Sequence, residues 1–391
     1  LIMSASEPEH IQQIRDTVRK FVDAEIPRTK AIEWDATDEI PRSLLKKMGD
    51  LGLTGITTPE EYGGYGRDIY GAMAVIEELS KRSIGAASLL IMAACYGAMN
   101  IYESGSEAQK RHFLPKLVAG ECLFSYGLSE PDVGADLATV KTKASLSGDK
   151  ITIDGTKRWC TGATITDNIF VLARDADSDD KYKNLNMIIV PVDTPGISIT
   201  PLDVIGSRGV GTTDVIFKQV TVPAENILGG AEHWNMGWGK LAGATLDVEK
   251  LEVAAMCLGN AEGALQDAWD YAQDREQFGI AISGHQAIRH RLASAKAKLY
   301  AARQSLYHAA QLATDNVPCG VESSMAKYMV SELAQEVCLS AQRVMGAYGC
   351  ARGEGGDMER YVREALVFPI AGGSSEIQLN NIANRLGLAK K

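Results

Sequence analysis

The sequence predicts a chain of three regions in the order helical, all-β, helical. Apolar residues recur at three-four spacing near the start. Short β-branched runs broken by Gly, Pro, Asp and Asn fill the middle, and long Ala-rich stripes run through the last third. The changes of texture place the regions at 1–122, 123–230 and 231–391.

In the first region Ile11, Ile14, Val18 and Phe21–Val22 mark an amphipathic helix. Pro59-Glu60-Glu61-Tyr62-Gly63-Gly64-Tyr65-Gly66 interrupts as a turn, and helices are expected around Ile69–Arg82 and Ala87–Glu103. In the second region the runs Ile151–Ile153, Ile169–Leu172, Met187–Val192 and Val215–Val222 read as strands. In the third, Ile288, Leu292, Ala295, Leu299, Ala302, Leu306, Ala309 and Ala313 form one long stripe. Met325, Met329, Leu333 and Val337 form another, with a turn at Asp315-Asn316-Val317-Pro318 between them. Small residues along such stripes let helices pack closely in a bundle.

The net charge of −10 over 391 residues argues against general nucleic-acid binding, which needs a basic face. The seven Cys include no Cys-x-x-Cys pair and no Cys/His cluster with zinc spacing, so free thiols and no metal are expected. No apolar run is expected to span a membrane. Leu1 to His10 lack the features of a signal or transit peptide. A cytoplasmic protein is expected, or a mitochondrial-matrix one if a transit peptide has been removed.

Five segments carry chemistry. Tyr126-Gly127-Leu128-Ser129-Glu130-Pro131, continuing to Ala135-Asp136, is a turn-rich loop with a hydroxyl at Ser129; alone it would be a plain β-turn. Lys157-Arg158-Trp159-Cys160-Thr161-Gly162 sets an aromatic and a hydroxyl after a strand, where a Trp is more often core. Arg275-Glu276-Gln277-Phe278-Gly279, with Gln286 beyond, offers a guanidinium fork suited to a pyrophosphate. Arg343-Val344-Met345-Gly346-Ala347-Tyr348-Gly349 is a loop of small residues that allows close backbone approach. The last is Ile370-Ala371-Gly372-Gly373-Ser374-Ser375-Glu376-Ile377-Gln378.

Together these segments resemble the acyl-CoA dehydrogenases, FAD-dependent enzymes that desaturate acyl thioesters, and the resemblance covers nearly the whole chain. It implies their fold: an N-terminal all-α domain, a middle β-barrel domain and a C-terminal four-helix bundle. It implies FAD contacts at Tyr126, Leu128, Ser129, Trp159, Thr161, Ser374 and Glu376. Contacts to the dinucleotide of a neighbouring subunit are implied at Arg275, Phe278, Gln286, Arg343, Gly346 and Ala347. Arg343 and Ala347 depart from the family's Gln and Gly, and Gln342 leaves a one-residue ambiguity. Ala135 replaces a Ser near the thioester carrier.

Most of the family has a catalytic Glu where this chain has Gly372. Proton removal from the carbon next to a thioester needs a desolvated carboxylate. Leu246-Asp247-Val248-Glu249-Lys250-Leu251 is similar to the run that supplies the base from an internal helix in the isovaleryl-CoA-dehydrogenase-like subgroup, and Glu249 falls on the base. Gly372 keeps its backbone N–H for the thioester oxygen. Gly373, Ala135, Asp247 and Lys250 are the expected substrate contacts; Lys250 stands where Arg usually meets the CoA part.

A Glu on a helix is usually a solvated charge, and Glu249 lies ~200° round from the Leu251–Leu258 stripe. However, Val253, Met256 and Ala264 share its side, which suggests a helix between two layers; Glu252 is the rival carboxylate. The expected activity is α,β-dehydrogenation of an acyl-CoA, of branched or bulky acyl group, with electron-transfer flavoprotein as acceptor and a homotetramer, a dimer of dimers, as the assembly. Alternatives are an acyl-carrier-protein-linked dehydrogenase, a reductase running backwards, a monooxygenase or nitroalkane-oxidase-like member, and an inactive flavin-binding subunit.

Overall fold

The computed structural model describes residues 7–241, 244–353 and 356–388. Residues 1–6, on which part of the reading of the N-terminus rests, lie outside it. The first region is helical: α1 (Glu9–Glu25), α2 (Arg28–Thr37), α3 (Ser43–Asp50) and α4 (Ile69–Ser80). Next come α5 (Ile84–Leu90), a π-helical segment (Ile91–Met99), α6 (Asn100–Ser104) and α7 (Glu107–Val118). The Pro59–Gly66 turn separates α3 from α4 as expected, and Asp68 caps α4 by accepting from the Gly71 N–H at 2.7 Å.

Ile84–Ser104 corrects one expectation. These 21 residues form a continuous helix whose most apolar 18-residue window has a mean hydropathy of 1.7, long and apolar enough to cross a membrane. Their most apolar window is 89% buried within the fold, as in the core helix of a folded domain. The sequence alone obscured this because Cys95, Tyr96 and Asn100 interrupt the run.

The middle region is one seven-stranded sheet. It comprises β1 (Phe124–Gly127), β2 (Lys143–Ser147), β3 (Lys150–Thr161), β4 (Asn168–Asp175), β5 (Leu185–Pro191), β6 (Ile197–Leu202) and β7 (Thr212–Pro223). The order is β1-β4-β2-β3-β7-β6, with β5 on the other edge of β4. Ile151, Ile153, Ile169, Val171, Val190, Val215 and Phe217 enclose a core of its own. β3 and β7 pair antiparallel with bulges between Ile153 and Gly155 and between Arg158 and Cys160.

The last region holds α8 (Gly237–Leu241), α9 (Ala244–Asp274), a hairpin of β8 (Glu276–Gln277) and β9 (Ile280–Ala281), and α10 (Gln286–Thr314). α11 (Gly320–Met345), α12 (Met358–Val367) and α13 (Ser375–Arg385) complete it. The apolar core runs unbroken through both helical regions. α9 lies between α4 on one side and α11 on the other. Gly259 and Gly263 permit that approach: a Cβ at either would meet the Glu77 or Lys81 carbonyl at 2.3 and 2.6 Å. A helix wrapped this closely on two sides explains why Glu249 need not face water although it lies off the main stripe.

Candidate active site

Glu249 sits near the start of α9. Its carboxyl makes no hydrogen bond among the described residues. Protein surrounds it on every side, yet it keeps some contact with solvent. Partial exposure of this kind fits the floor of a cleft better than a sealed core. Burial raises its pKa to about 7, and the Lys250 ammonium only partly opposes the shift. The group is therefore poised to accept a proton near neutral pH.

The Gly372 loop lies against the same helix. A Cβ on Gly372 would stand 2.7 Å from Cγ2 of Val253, one turn beyond Glu249. Gly372 also has φ +63°, which disfavours any side chain. Position 372 thus disfavours a carboxylate both by space and by backbone, and the available carboxylate is on α9. The N–H groups of Gly372 and Gly373 make no hydrogen bond among the described residues. The loop is anchored by Ser375 Oγ on Glu332 at 2.5 Å, by Gln378 Nε2 on the Gly373 carbonyl at 3.0 Å, and by Ser374 capping α13. Glu376 is exposed, and its carboxyl is held below its usual range by its own backbone N–H and by Ser374.

Glu252, the rival, is 3% exposed and beside the Cys95 thiol. Burial, then the charge on Glu249, raises its pKa far above the carboxylate range. The same burial makes it the harder of the two to ionise, which favours Glu249 as the base. Tyr96 and Tyr126 complete this cluster; their rings are 4.2 Å apart and both feel the two carboxylates. Asn100 Nδ2 donates to the Tyr126 hydroxyl at 2.5 Å. Tyr126, expected among flavin contacts, therefore has its side chain in the carboxylate cluster. Cys95, Tyr96 and Asn100 escaped the sequence reading; polar residues in an otherwise apolar helix were the available signal.

The candidate flavin loop is held rigidly from behind. Buried Lys157 binds the Leu128 carbonyl at 3.0 Å and Glu130 at 2.8 Å, and Glu130 also accepts from the N–H groups of Lys141 and Thr142. The Ser129 carbonyl accepts from the Arg158 N–H at 2.9 Å. Neither Glu130 nor Lys157 was singled out from sequence, although both lie inside the motifs. Trp159 is forced outward at the second bulge with φ +65° and is 56% exposed, its ring beside the Arg158 guanidinium. Thr161 closes β3 and accepts at its carbonyl from Ser125 Oγ at 2.6 Å. An exposed, strained Trp next to a fixed loop bearing a hydroxyl fits a planar aromatic cofactor. Ala135 lies on the exposed part of that loop.

Lys250 is 3% exposed and donates to Asp247 at 2.7 Å, with Arg385 a further 3.8 Å from the same carboxylate. The pair is internal, so Lys250 is placed to fix Asp247 rather than to reach an exposed carrier.

The remaining residues are not brought to this site. Arg275, Phe278 and Gln286 are exposed beyond the far end of α9, and Phe278 is 95% exposed with φ +56°. Arg343, Gly346 and Ala347 are exposed at the end of α11. Tyr271 and Tyr348, 6.2 Å apart, join these two groups into one surface. Gln342 turns into its own loop, donating to the Gly349 carbonyl at 3.2 Å, which leaves Arg343 as the outward residue. Along α9 the step from Glu249 to Arg275 is ~39 Å at helical rise.

The family models described as "Acyl-CoA dehydrogenase" N-terminal, middle and C-terminal domains match residues 8–121, 125–220 and 235–387. The chain is 38% identical to the "Probable acyl-CoA dehydrogenase YngJ" of Bacillus subtilis, over 96% of this chain and 97% of that protein. It is 32% identical to the "Caffeyl-CoA reductase-Etf complex subunit CarC" of Acetobacterium woodii, over 97% and 98%. Among solved structures, butyryl-CoA dehydrogenase from Megasphaera elsdenii superposes with a TM-score of 0.91 at 31% identity, covering 98% of this chain and all of that one.

Proposed function

The chain belongs to the acyl-CoA dehydrogenase family, oxidoreductases acting on CH–CH bonds, and from that premise we propose that Glu249 is its catalytic base. Glu249 takes the proton from the carbon next to the thioester carbonyl as a hydride leaves the β-carbon, giving the trans-2-enoyl thioester. The family is FAD-dependent, and FAD, when bound, supplies the hydride acceptor. Leu128, Ser129, Trp159 and Thr161 would hold and shield its ring at the fixed loop, joined by the backbone of Tyr126, whose side chain turns to the carboxylates, and by Ser374 and Glu376 at the start of α13. The Gly372 N–H donates to the thioester oxygen where negative charge develops, and Gly373 and Asp247 line the approach. Electrons pass on to electron-transfer flavoprotein, a reading supported by the Etf complex to which the CarC relative is assigned.

The observation that carries this reading is the pairing of a Glu249 without a hydrogen-bond partner among the described residues with a Gly372 whose backbone and closeness to Val253 disfavour a side chain. It favours the isovaleryl-CoA-dehydrogenase-like position of the base. The separation of Arg275, Phe278, Gln286, Arg343, Gly346 and Ala347 from Glu249 supports a homotetramer in which one copy completes the dinucleotide site of another.

The test is anaerobic mixing of the purified flavoprotein with acyl-CoAs. Glu249→Gln should slow flavin bleaching by ~10²–10⁴-fold, the usual worth of a general base. Bleaching of that variant at the wild-type rate would overturn the assignment.

A further inference from the structure

Granted Glu249 as the base, we propose that Glu252 recognises a hydrogen-bond donor on the acyl chain, so that the preferred substrate is a polar acyl thioester bearing a hydroxyl or cationic nitrogen near its γ-carbon. Glu252 is 3% exposed, and its Oε2 has no hydrogen-bond partner among the described residues. A buried carboxyl oxygen without a partner weakens the fold; a bound donor removes that penalty. Glu252 follows Glu249 by three residues, so the two side chains share one face of α9, with Cβ atoms ~5–6 Å apart. A chain whose α-carbon lies at Glu249 reaches Glu252 two or three atoms further on.

The surroundings agree. The π-helical segment Ile91–Met99 brings Cys95 and Tyr96 to the cluster, and β1 brings Tyr126. Widened π turns commonly mark functional sites. Asn100 commits a lone pair of the Tyr126 oxygen, leaving that hydroxyl able to donate. An acyl end that reached Glu252 would meet Tyr96, Tyr126 and Cys95 beside it, surroundings that suit a small polar group better than a plain alkyl one. The charges narrow the class further. Two carboxyl groups lie close together here, and the near cation, Lys250, is spent on Asp247. An anionic acyl group is therefore disfavoured, whereas a cation would draw Glu252 into its ionised form.

The experiment compares four CoA thioesters of similar length on the flavin-loaded wild type: 4-hydroxybutyryl, 4-guanidinobutyryl, pentanoyl and glutaryl. Bleaching efficiency for the hydroxy or guanidino substrate should exceed that for pentanoyl by at least tenfold, and glutaryl should be the poorest. A larger gain for guanidino assigns the recognition to charge; equal gains assign it to the hydrogen bond. Glu252→Leu should invert the ratio of polar to pentanoyl efficiency. Glu252→Gln, which keeps the shape, should retain the hydroxyl preference and lose the cation's advantage. Pentanoyl-CoA preferred by the wild type, with bleaching still dependent on Glu249, overturns the role of Glu252 alone. No bleaching by any of the four, or bleaching indifferent to Glu249→Gln, overturns the assignment of the base and this one with it.

Discussion

At the scale of single residues, the site turns on one carboxyl that is cheap to protonate and one glycine that is costly to replace. Glu249 has its pKa moved from 4.5 to about 7 by burial. Its base form is lost as pH falls, so the bleaching rate should drop about tenfold per pH unit below 7 and level off above it; a stopped-flow pH series reads this directly. The same shift has the opposite sign for stability. The folded state holds this proton more tightly than the unfolded state, so ionising Glu249 costs roughly 3 kcal/mol, fully felt above pH 7 and absent below about 4.5. Glu249→Gln should therefore melt higher than wild type at pH 8, with the gap closing towards pH 5 in a thermal scan. At Gly372, φ +63° and the 2.7 Å approach to Val253 act together. Gly372→Ala should lose about 1–3 kcal/mol, part of it restored by Val253→Ala in a urea double-mutant cycle. The sequence marked both residues, because the missing carboxylate in one segment matched an extra one in the other. What it did not reveal was the standing of Glu252, since one-letter patterns do not tell which of two neighbouring carboxyls is the more deeply buried.

At the scale of elements, the site depends on a few buried ionic ties that hold loops and helices in place. Lys157 and Glu130 fix the loop between β1 and β2 to β3 with every polar atom occupied. Removing one partner strands the other charge, a loss of about 3–5 kcal/mol for a buried pair. Lys157→Met should thus cost more flavin than fold: the ratio of 450 nm to 280 nm absorbance should fall in protein that still melts cooperatively. Retention of full flavin content would show that the loop needs no tie. Long elements were legible in the sequence because their periodicity persists over many turns, as from Ile288 to Ala313. β1, β2 and β6 were not, for physical reasons. β1 is four residues long, β2 buries only Ala144, and β6 is an edge strand containing Pro201. The π-helical segment leaves no trace in a pattern read at 3.6 residues per turn, yet it brings Cys95 and Tyr96 to Glu252.

At the scale of the molecule, α9 works as a spacer. Glu249 at one end and Arg275 past the other are separated by ~39 Å, too far for one dinucleotide of a single chain to meet both. Either the Arg275 surface does something unrelated, or a second copy presents it to the first copy's cofactor. The exposed hydrophobic surface favours the second. Phe278 stands 95% exposed on a strained hairpin tip, with Ile280 and Tyr348 also exposed nearby; burying one such ring contributes ~1.5–3 kcal/mol. A Phe held outward at that cost in a hairpin of two-residue strands is best explained by an interface. Phe278→Asp should shift the particle from four copies to a smaller one in light scattering after size exclusion, and flavin should be lost in the same fractions. Arg275→Ala should keep the larger particle while weakening FAD retention, because it removes a pyrophosphate contact and leaves the apolar one. If Phe278→Asp leaves both size and flavin unchanged, the dinucleotide is held within one chain, and the Arg275 and Arg343 surface must serve another partner.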